Sequence, residues 1–296
     1  MTPTFASLIS PLNTNDFINS MFGLGILWGT WKENSDEECL SSALIRPIVE
    51  SMTLGAIKLD RIRFVKEGEI IPTDVVLPNG IFDENVLFRE MLEAGVSISV
   101  DQVECYSMPI KMICESISNS LQMPVAANLY ISPPNSFAFE PHSDSTDILA
   151  LQLSGYKRWR IHNGNVVNPL PIQSQHFNPN TRVIEDRLLN PLDWVYLRKG
   201  VIHSAITEVN TSIHVTFALN TVSVYSVILQ IIEDYALENS ELRASVPLSL
   251  NNEMVDYVHS LLPWADRQVI VNRLRRRLPV RESPDLIVDD IMESFF

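Results

Sequence analysis

Residues 140–161 read EPHSDSTDILALQLSGYKRWRI, and this stretch carries the pattern that decides the fold. Its middle is an apolar run typical of a buried strand, and the run ends at the turn signal Ser154-Gly155. The residues after the turn continue as a second strand, so the stretch predicts a β-hairpin. Residues 125–222 are dominated by strands of this kind, which indicates a barrel-like core.

A His-x-Asp pair, His142 and Asp144, stands just before the buried strand. Side chains alternate along a strand, so these two would lie on one face. A third candidate ligand, His203, follows an apolar strand and a glycine turn in residues 193–203, DWVYLRKGVIH. Among six histidines and 36 acidic residues a chance pair is expected, and a buried structural histidine is the alternative interpretation. The position of all three at strand ends favours a facial triad for Fe(II), with open positions for a cosubstrate and O2.

The sequence outside the strand-rich block predicts helices. Helical caps or helical spacing occur at Asn15-Asp16, Asp83–Leu92, Pro109–Ile117, Val224–Tyr235 and Met254–Leu262. We therefore expect a mainly β fold with flanking helices. Residues 1–124 would be a mixed α/β part, residues 125–222 the barrel core and residues 223–296 a helical C-terminal region.

The composition limits the class of protein and its partners. A hydrophobic content of 46% and a charged content of 20% are those of a globular protein. The formal net charge of −14 argues against direct nucleic-acid binding, and the basic run Arg273–Arg277 is interpreted as a helix C-terminus. No apolar run reaches the ~18 residues that span a bilayer, so no membrane association is expected. Three cysteines without a motif (Cys39, Cys105 and Cys114) predict reduced thiols and a cytoplasmic protein.

Several segments occur in an order that resembles the JmjC-type ribosomal oxygenases. They are Asn128–Pro133, Pro141–Asp144, Leu151–Arg160, the GVIH turn and the HVT strand. The resemblance is tight from about Asn128 to Leu219. It implies a cupin-type, double-stranded β-helix (jelly-roll) domain in residues 1–222. It also implies a dioxygenase that uses Fe(II) and 2-oxoglutarate to hydroxylate a residue of a protein.

The same resemblance implies roles for individual residues. His142, Asp144 and His203 match the iron ligands. Lys157 matches the cation that pairs with the distal carboxylate of 2-oxoglutarate. Asn128, Tyr130 and Thr216 match positions that bind the cosubstrate or line its pocket. The family typically continues with dimerisation helices and a winged-helix domain, whereas 74 residues (296 minus 222) follow position 222 here.

Other residues have two interpretations each. Strand alternation places Lys157 with Trp159, which predicts a buried and paired lysine rather than a surface one. His214 is either a group that orients the site or a buried core histidine. Phe137 and Phe139 would contact the substrate from the loop before His142, or would simply plug the core. The remaining histidines are expected to be structural or on the surface: His162, His176 and His259.

Three functions remain open from the sequence. The first is hydroxylation of a protein residue, with a histidine or arginine of a ribosomal protein as the first candidate. The second is hydroxylation of a peptide natural product or small molecule. The third is a cupin-fold binding protein without activity, or an isomerase using another metal. The complete triad and Lys157 argue against loss of activity, and a sugar-phosphate isomerase would need an extra carboxylate ligand and phosphate-binding basic residues, of which the sequence shows no clear set near His142. The stripe at residues 224–235 predicts a core contact or a homodimer seam.

Overall fold

The computed structural model describes residues 4–23, 25–32, 37–77, 80, 94–170, 175–177 and 181–243. Two compact units divide the chain, Met1–Asn220 and Thr221–Phe296. The first unit is built around two antiparallel sheets with helices on one side. The second unit is described only as far as residue 243, where it is helical.

The larger sheet has eight strands. Their spatial order is β1 (Ile26–Thr30), β12 (Asp193–Leu197), β8 (Asp147–Ser154), β14 (Ser212–Leu219), β5 (Val125–Ser132), β4 (Ser97–Val100), β2 (Ile62–Lys66) and β3 (Glu69–Ile71). Neighbouring strands pair antiparallel throughout. Strands that are neighbours in this sheet come from distant parts of the sequence, as in a jelly roll.

The smaller sheet faces the larger one. Its order is β10 (Gln175–His176), β7 (His142–Ser143), β13 (Val201–Thr207), β9 (Lys157–Asn165) and β11 (Val183–Leu189), with β6 (Ser136–Phe137) also paired to β13. The predicted mainly β jelly-roll core is therefore confirmed. The strand expected at residues 140–144 is reduced to the two residues of β7.

The predicted hairpin at Ser154-Gly155 is wrong. Strand β8 pairs with β12 and β14, whereas β9 pairs with β11 and β13, so the two strands belong to different sheets. Gly155 has φ +64°, and a Cβ atom there would lie 2.1 Å from the carbonyl oxygen of Thr211. Only glycine fits this approach, which carries the chain from one sheet to the other.

Strand β8 shows why the chain has two apolar layers. Leu149, Leu151 and Leu153 point to the helices and join the main core, while Ile148 and Ala150 point between the sheets. A strand buried on both faces reads as a continuous apolar run, which is the pattern that identified it. The layer between the sheets is smaller and leaves room for polar side chains at one end.

The helices of the first unit cover the outer face of the larger sheet. They are α1 (Phe5–Leu8), α2 (Thr14–Gly23), α3 (Glu37–Thr53), α4 (Thr73–Val76) and α5 (Met108–Leu121). Helix α5 confirms the helix predicted from Pro109. Helix α2 begins earlier than the predicted cap, because the Asn13 side chain accepts the amide hydrogen of Asp16 at 2.9 Å.

The second unit contains α6 (Val224–Glu238), which confirms the helix predicted at residues 224–235. Ser223 caps it by accepting the amide hydrogen of Ser226 at 3.0 Å. None of the described helices is both long and apolar enough to cross a bilayer. The predicted helices at Asp83–Leu92 and Met254–Leu262 and the Arg273–Arg277 run lie outside the described residues, as does His259.

Candidate metal and cosubstrate site

Three potential metal ligands meet at one end of the space between the sheets. Donor atoms of His142, Asp144 and His203 all lie within 4.8 Å of one another. His142 on β7 and His203 on β13 are directly opposed across the sheet, and Asp144 follows β7. The Nε2 atom of His142 lies 4.0 Å from Oδ1 of Asp144, and that of His203 lies 3.6 Å from Oδ2. One ion can therefore be shared by all three side chains.

Both histidines are oriented for metal binding by their other ring nitrogen. The Nδ1 atom of His142 lies 2.8 Å from the carbonyl oxygen of Glu140, and that of His203 lies 3.0 Å from the carbonyl oxygen of Val201. A carbonyl only accepts, so each Nδ1 must carry the hydrogen. Each Nε2 then presents a lone pair towards Asp144. This arrangement of outer hydrogen bonds is typical of metal-ligating histidines.

The surroundings of His203 keep its ring neutral. Its side chain is buried, and burial together with the nearby His142 lowers the pKa of His203 to about 4. The ring stacks on the Trp159 indole, with centroids 5.7 Å apart and planes 17° from parallel. A neutral, clamped imidazole is the form that binds a metal ion without first losing a proton.

Asp144 is held by the glycine turn that precedes β13. The Gly200 amide donates a hydrogen bond to the carbonyl oxygen of Asp144 at 2.9 Å. Gly200 has φ +87°, and a Cβ atom there would lie 1.8 Å from the carbonyl oxygen of Val166. The glycine turn that precedes His203 thus also holds the backbone of Asp144 in place.

Lys157 is buried at the start of β9, at 2% exposure, as its alternation with Trp159 predicts. Its ammonium donates a hydrogen bond to the Ser132 hydroxyl at 2.9 Å. Within the described residues it forms no ion pair, and burial lowers the pKa of Lys157 to about 7. Burying a cation without an anionic partner is costly, so such a lysine indicates a site for an anion.

Cross-strand pairs between β5 and β14 line the same interior. Asn128 is opposite Thr216, and Tyr130 is opposite His214. The Tyr130 and His214 rings stack with centroids 4.8 Å apart and planes 7° from parallel. The structure therefore places these four predicted residues together, on the face that carries Lys157's partner, Ser132.

His214 is buried, and its Nδ1 has no hydrogen-bond partner within the described residues. Burial and the nearby Lys157 lower the pKa of His214 well below its usual value, so the ring is neutral. Burial and Asp144 raise the pKa of Tyr130, which keeps the phenol protonated. Both rings can thus present hydrogen-bonding groups without carrying charge.

The two phenylalanines of the loop before His142 lie on different faces. The Phe139 ring meets the His142 ring edge-on, with centroids 5.5 Å apart. Phe137 pairs with Ile206, which in turn pairs with Arg158, on the face of the smaller sheet that points away from the interior. The structure therefore brings Phe139 to the site and leaves Phe137 away from it.

Two further placements bear on the sequence analysis. His162 is buried and satisfied, with its ring nitrogens 3.0 Å from the carbonyl oxygen of Thr181 and 2.9 Å from the hydroxyl of Ser204. It is structural, as predicted. Ser132 was not singled out from the sequence, because a serine inside a strand gives no signal until its partner across the barrel is known.

The part of the chain that carries the site is similar to a known protein family. Residues 104–227 match the JmjC domain family. This part of the chain is therefore similar to JmjC domains. The match covers β5 to β14 and so includes every residue of the site, and it confirms the resemblance to the JmjC-type ribosomal oxygenases.

Relatives of known activity are similar over a larger part of the chain. The bifunctional lysine-specific demethylase and histidyl-hydroxylase NO66 of Drosophila persimilis is 27% identical over 216 residues, 69% of this chain and 31% of that protein. The NO66 protein of Drosophila willistoni is 29% identical over 223 residues, 68% of this chain and 28% of that protein. The chain thus spans about a third of the length of these relatives.

Solved structures of YcfD, a ribosomal oxygenase from Escherichia coli, share the fold. The complex with cobalt and succinic acid has a TM-score of 0.58 at 16% identity, covering 94% of this chain and 75% of that one. The complex with cobalt and 2-oxoglutarate has a TM-score of 0.56 at 16% identity, covering 96% and 78%. At this identity the similarity establishes the fold alone.

Proposed function

We propose that this JmjC protein is a 2-oxoglutarate- and Fe(II)-dependent dioxygenase that hydroxylates an amino-acid residue of a protein or peptide. The observation that carries the proposal is the pairing of two features in one interior. One is a triad of His142, Asp144 and His203 with both Nε2 lone pairs directed at the carboxylate. The other is Lys157, a buried cation without an anion beside it.

The donor set fits Fe(II). Two neutral imidazoles and one carboxylate on one side of an ion leave the opposite side open. Bound there, Fe(II) would supply the redox chemistry by which 2-oxoglutarate, O2 and a substrate C–H group are converted to succinate, CO2 and the hydroxylated substrate. The protein's own part is to hold the three ligands in place, through Glu140, Val201 and Gly200, and to exclude water.

The interior also fits a dicarboxylate. Lys157 would bind the distal carboxylate, and a charge-assisted hydrogen bond in a buried site is stronger than a neutral one. The Tyr130 phenol stays protonated and so can donate to a carboxylate oxygen. Asn128 and Thr216 lie on the next cross-strand pair and would line the pocket, and His214 would orient Tyr130 by stacking.

The substrate would enter beside Phe139, which borders His142 and is partly exposed. A residue of a ribosomal protein, histidine or arginine, is the first candidate for hydroxylation. The names of the relatives support this choice, since NO66 is a histidyl-hydroxylase and YcfD a ribosomal oxygenase. The formal net charge of −14 also complements a basic protein partner.

The proposal is tested by incubating Fe(II)-loaded protein with 2-oxoglutarate, air and ribosomal proteins, followed by mass spectrometry of their peptides. With wild-type protein we expect one site in a ribosomal protein to gain the mass of one oxygen atom. With the Asp144→Ala variant the same site should stay unmodified. Succinate release without any modified protein would instead favour a peptide natural product or small molecule. Absence of both succinate release and 2-oxoglutarate binding would favour a binding protein without activity.

A homodimer through residues 224–235 and a cytoplasmic location complete the proposal. Several apolar side chains of α6 are at least 40% exposed: Val224, Tyr225, Leu229, Ile232 and Tyr235. An exposed apolar stripe of this kind is typical of an interface. Light scattering on the full chain tests it, and we expect the Leu229→Glu variant to shift a dimer towards monomer.

A further inference from the structure

Asp147 is a buried carboxylate that the proposed function does not use. It begins β8, shortly after the ligand Asp144, and its exposed fraction is 5%. The Tyr196 hydroxyl donates a hydrogen bond to its Oδ2 at 2.8 Å, and the Lys199 backbone amide donates one to its Oδ1 at 2.9 Å. Within the described residues it forms no ion pair. Burying an unpaired carboxylate is costly, and these two hydrogen bonds offset part of that cost.

The hydrogen bonds of Asp147 belong to a larger connection between two segments of the site. Lys199 lies in the turn between β12 and β13, and the next residue, Gly200, donates its amide hydrogen to the carbonyl oxygen of Asp144 at 2.9 Å. Two consecutive amides of this turn therefore bind the segment that begins at Asp144, one through its backbone and one through a side chain. We call this pair of hydrogen bonds the clasp. Tyr196 holds the same carboxylate from β12, and burial with the nearby Asp147 raises the pKa of Tyr196, so the phenol stays protonated.

The same turn also leads into the segment that orients His203. The residue after the turn, Val201, supplies the carbonyl oxygen that lies 3.0 Å from Nδ1 of His203 and fixes the tautomer of that ring. The Val201 amide donates a hydrogen bond to the carbonyl oxygen of Arg198 at 3.1 Å, which closes the turn. His142 depends on a carbonyl oxygen of its own segment. The clasp therefore joins the segments of two ligands, Asp144 and His203, and leaves the third ligand outside it.

We infer that Asp147 is a positioning residue of the metal site, which holds the turn before His203 against the backbone of Asp144 at the spacing that one ion requires. In this arrangement Nε2 of His203 lies 3.6 Å from Oδ2 of Asp144. Asp147 acts through the turn, since its own oxygens bind Tyr196 and Lys199. The inference rests on the proposed function, because it takes a divalent ion at the triad. A carboxylate that served folding alone would change the stability of the protein and not the metal affinity of its folded state.

Two substitutions of Asp147 separate its hydrogen bonds from its charge. Asp147→Ala removes both acceptor oxygens and so opens the clasp. Asp147→Asn has nearly the same shape, because its amide oxygen can accept from Lys199 and its NH2 group can donate to the Tyr196 oxygen. The matched control is Ser107→Ala. Ser107 is fully buried and donates a hydrogen bond to the carbonyl oxygen of Leu44 at 3.1 Å, a contact that involves no residue of the clasp.

The test is calorimetric titration of Mn(II) into the full chain without cosubstrate, at a temperature where circular dichroism shows every variant folded. We expect Asp147→Ala to raise Kd by about 10- to 100-fold, the usual effect of losing a group that orients metal ligands. Asp147→Asn should restore Kd to within about threefold of wild type, because it keeps both hydrogen bonds. Ser107→Ala should lower the free energy of unfolding and leave Kd unchanged.

Equal Kd values for wild type and Asp147→Ala would overturn the role of Asp147, as would an equal loss of affinity in Asp147→Asn. If Asp147→Ala does not fold, Tyr196→Phe decides, because it removes one hydrogen bond to the carboxylate and keeps the ring. A raised Kd in that variant supports the inference, and an unchanged Kd overturns it. If wild type binds no Mn(II), or Asp144→Ala binds it equally well, the triad and with it the proposed function fail instead.

Discussion

His142 and His203 face each other across β7 and β13, with ring centroids 4.5 Å apart, and each ring binds a backbone carbonyl two residues before it in the chain. The two histidines thus come from distant parts of the sequence but have the same local hydrogen bond. The hydrogen bond at Nδ1 fixes the tautomer of each ring. Each Nε2 atom therefore has a free lone pair, and both Nε2 atoms lie on the side of the Asp144 carboxylate.

Replacement of a ligand should abolish metal binding. We expect His142→Ala and Asp144→Ala to lose measurable Mn(II) binding by calorimetry, because two donors do not hold the ion against water. His162→Gln is the control, since His162 is also buried but binds Thr181 and Ser204. Retained affinity in the alanine variants would show that the ion binds elsewhere.

Affinity for 2-oxoglutarate should depend on pH through Lys157. Its pKa in the unliganded protein is about 7, and a bound carboxylate would keep it protonated. Below pH 7 the ammonium is already formed, whereas above pH 7 binding must take up a proton. The Kd should therefore rise roughly 20-fold between about pH 6.5 and about pH 8.5. Lys157→Arg, which stays charged, should bind with little pH dependence, and an equal slope in both proteins would contradict this account.

Lys157 should destabilise the unliganded fold. The lysine is protonated in the unfolded chain up to its usual pKa of 10.5, but burial lowers that pKa to about 7 in the folded protein. Below pH 10.5 the folded protein therefore holds this proton less tightly than the unfolded chain does, which lowers the free energy of unfolding. Lys157→Met should raise the free energy of unfolding at pH 7 by about 2–4 kcal/mol and abolish 2-oxoglutarate binding. Denaturant unfolding measures the first effect, and a less stable variant would show that the amine is better paired than the structure indicates.

Gly200→Ala should weaken both the fold and the metal site. A Cβ atom there overlaps the carbonyl oxygen of Val166 at 1.8 Å, and the Gly200 amide holds Asp144. We expect a loss of more than about 3 kcal/mol of stability and weaker Mn(II) binding. Gly55→Ala is the control, because Gly55 has φ +67° but open space around it, and it should cost about 1 kcal/mol. Similar losses in the two variants would exclude the steric explanation.

Lys157 could be placed from the sequence because strand alternation is a local rule, which puts it with Trp159 on the inner face of β9. The triad was predicted from the His-x-Asp motif and the glycine turn before His203, and the structure brings the three residues together although β7 ends before Asp144. The pairing of β8 could not be predicted, since the turn at Gly155 looks the same whether the chain folds back or crosses to the other sheet. Phe137 and Ser132 depend on long-range register, which one sequence without its strand pairing does not contain.

The most direct test of the central claim is succinate release from 2-oxoglutarate by protein loaded anaerobically with Fe(II) and then exposed to air. Wild-type protein should release succinate slowly even without a protein substrate, and Lys157→Ala should release almost none. Equal succinate release by both proteins would contradict the assignment of Lys157. No release by wild type, together with no 2-oxoglutarate binding in calorimetry, would contradict the oxygenase itself.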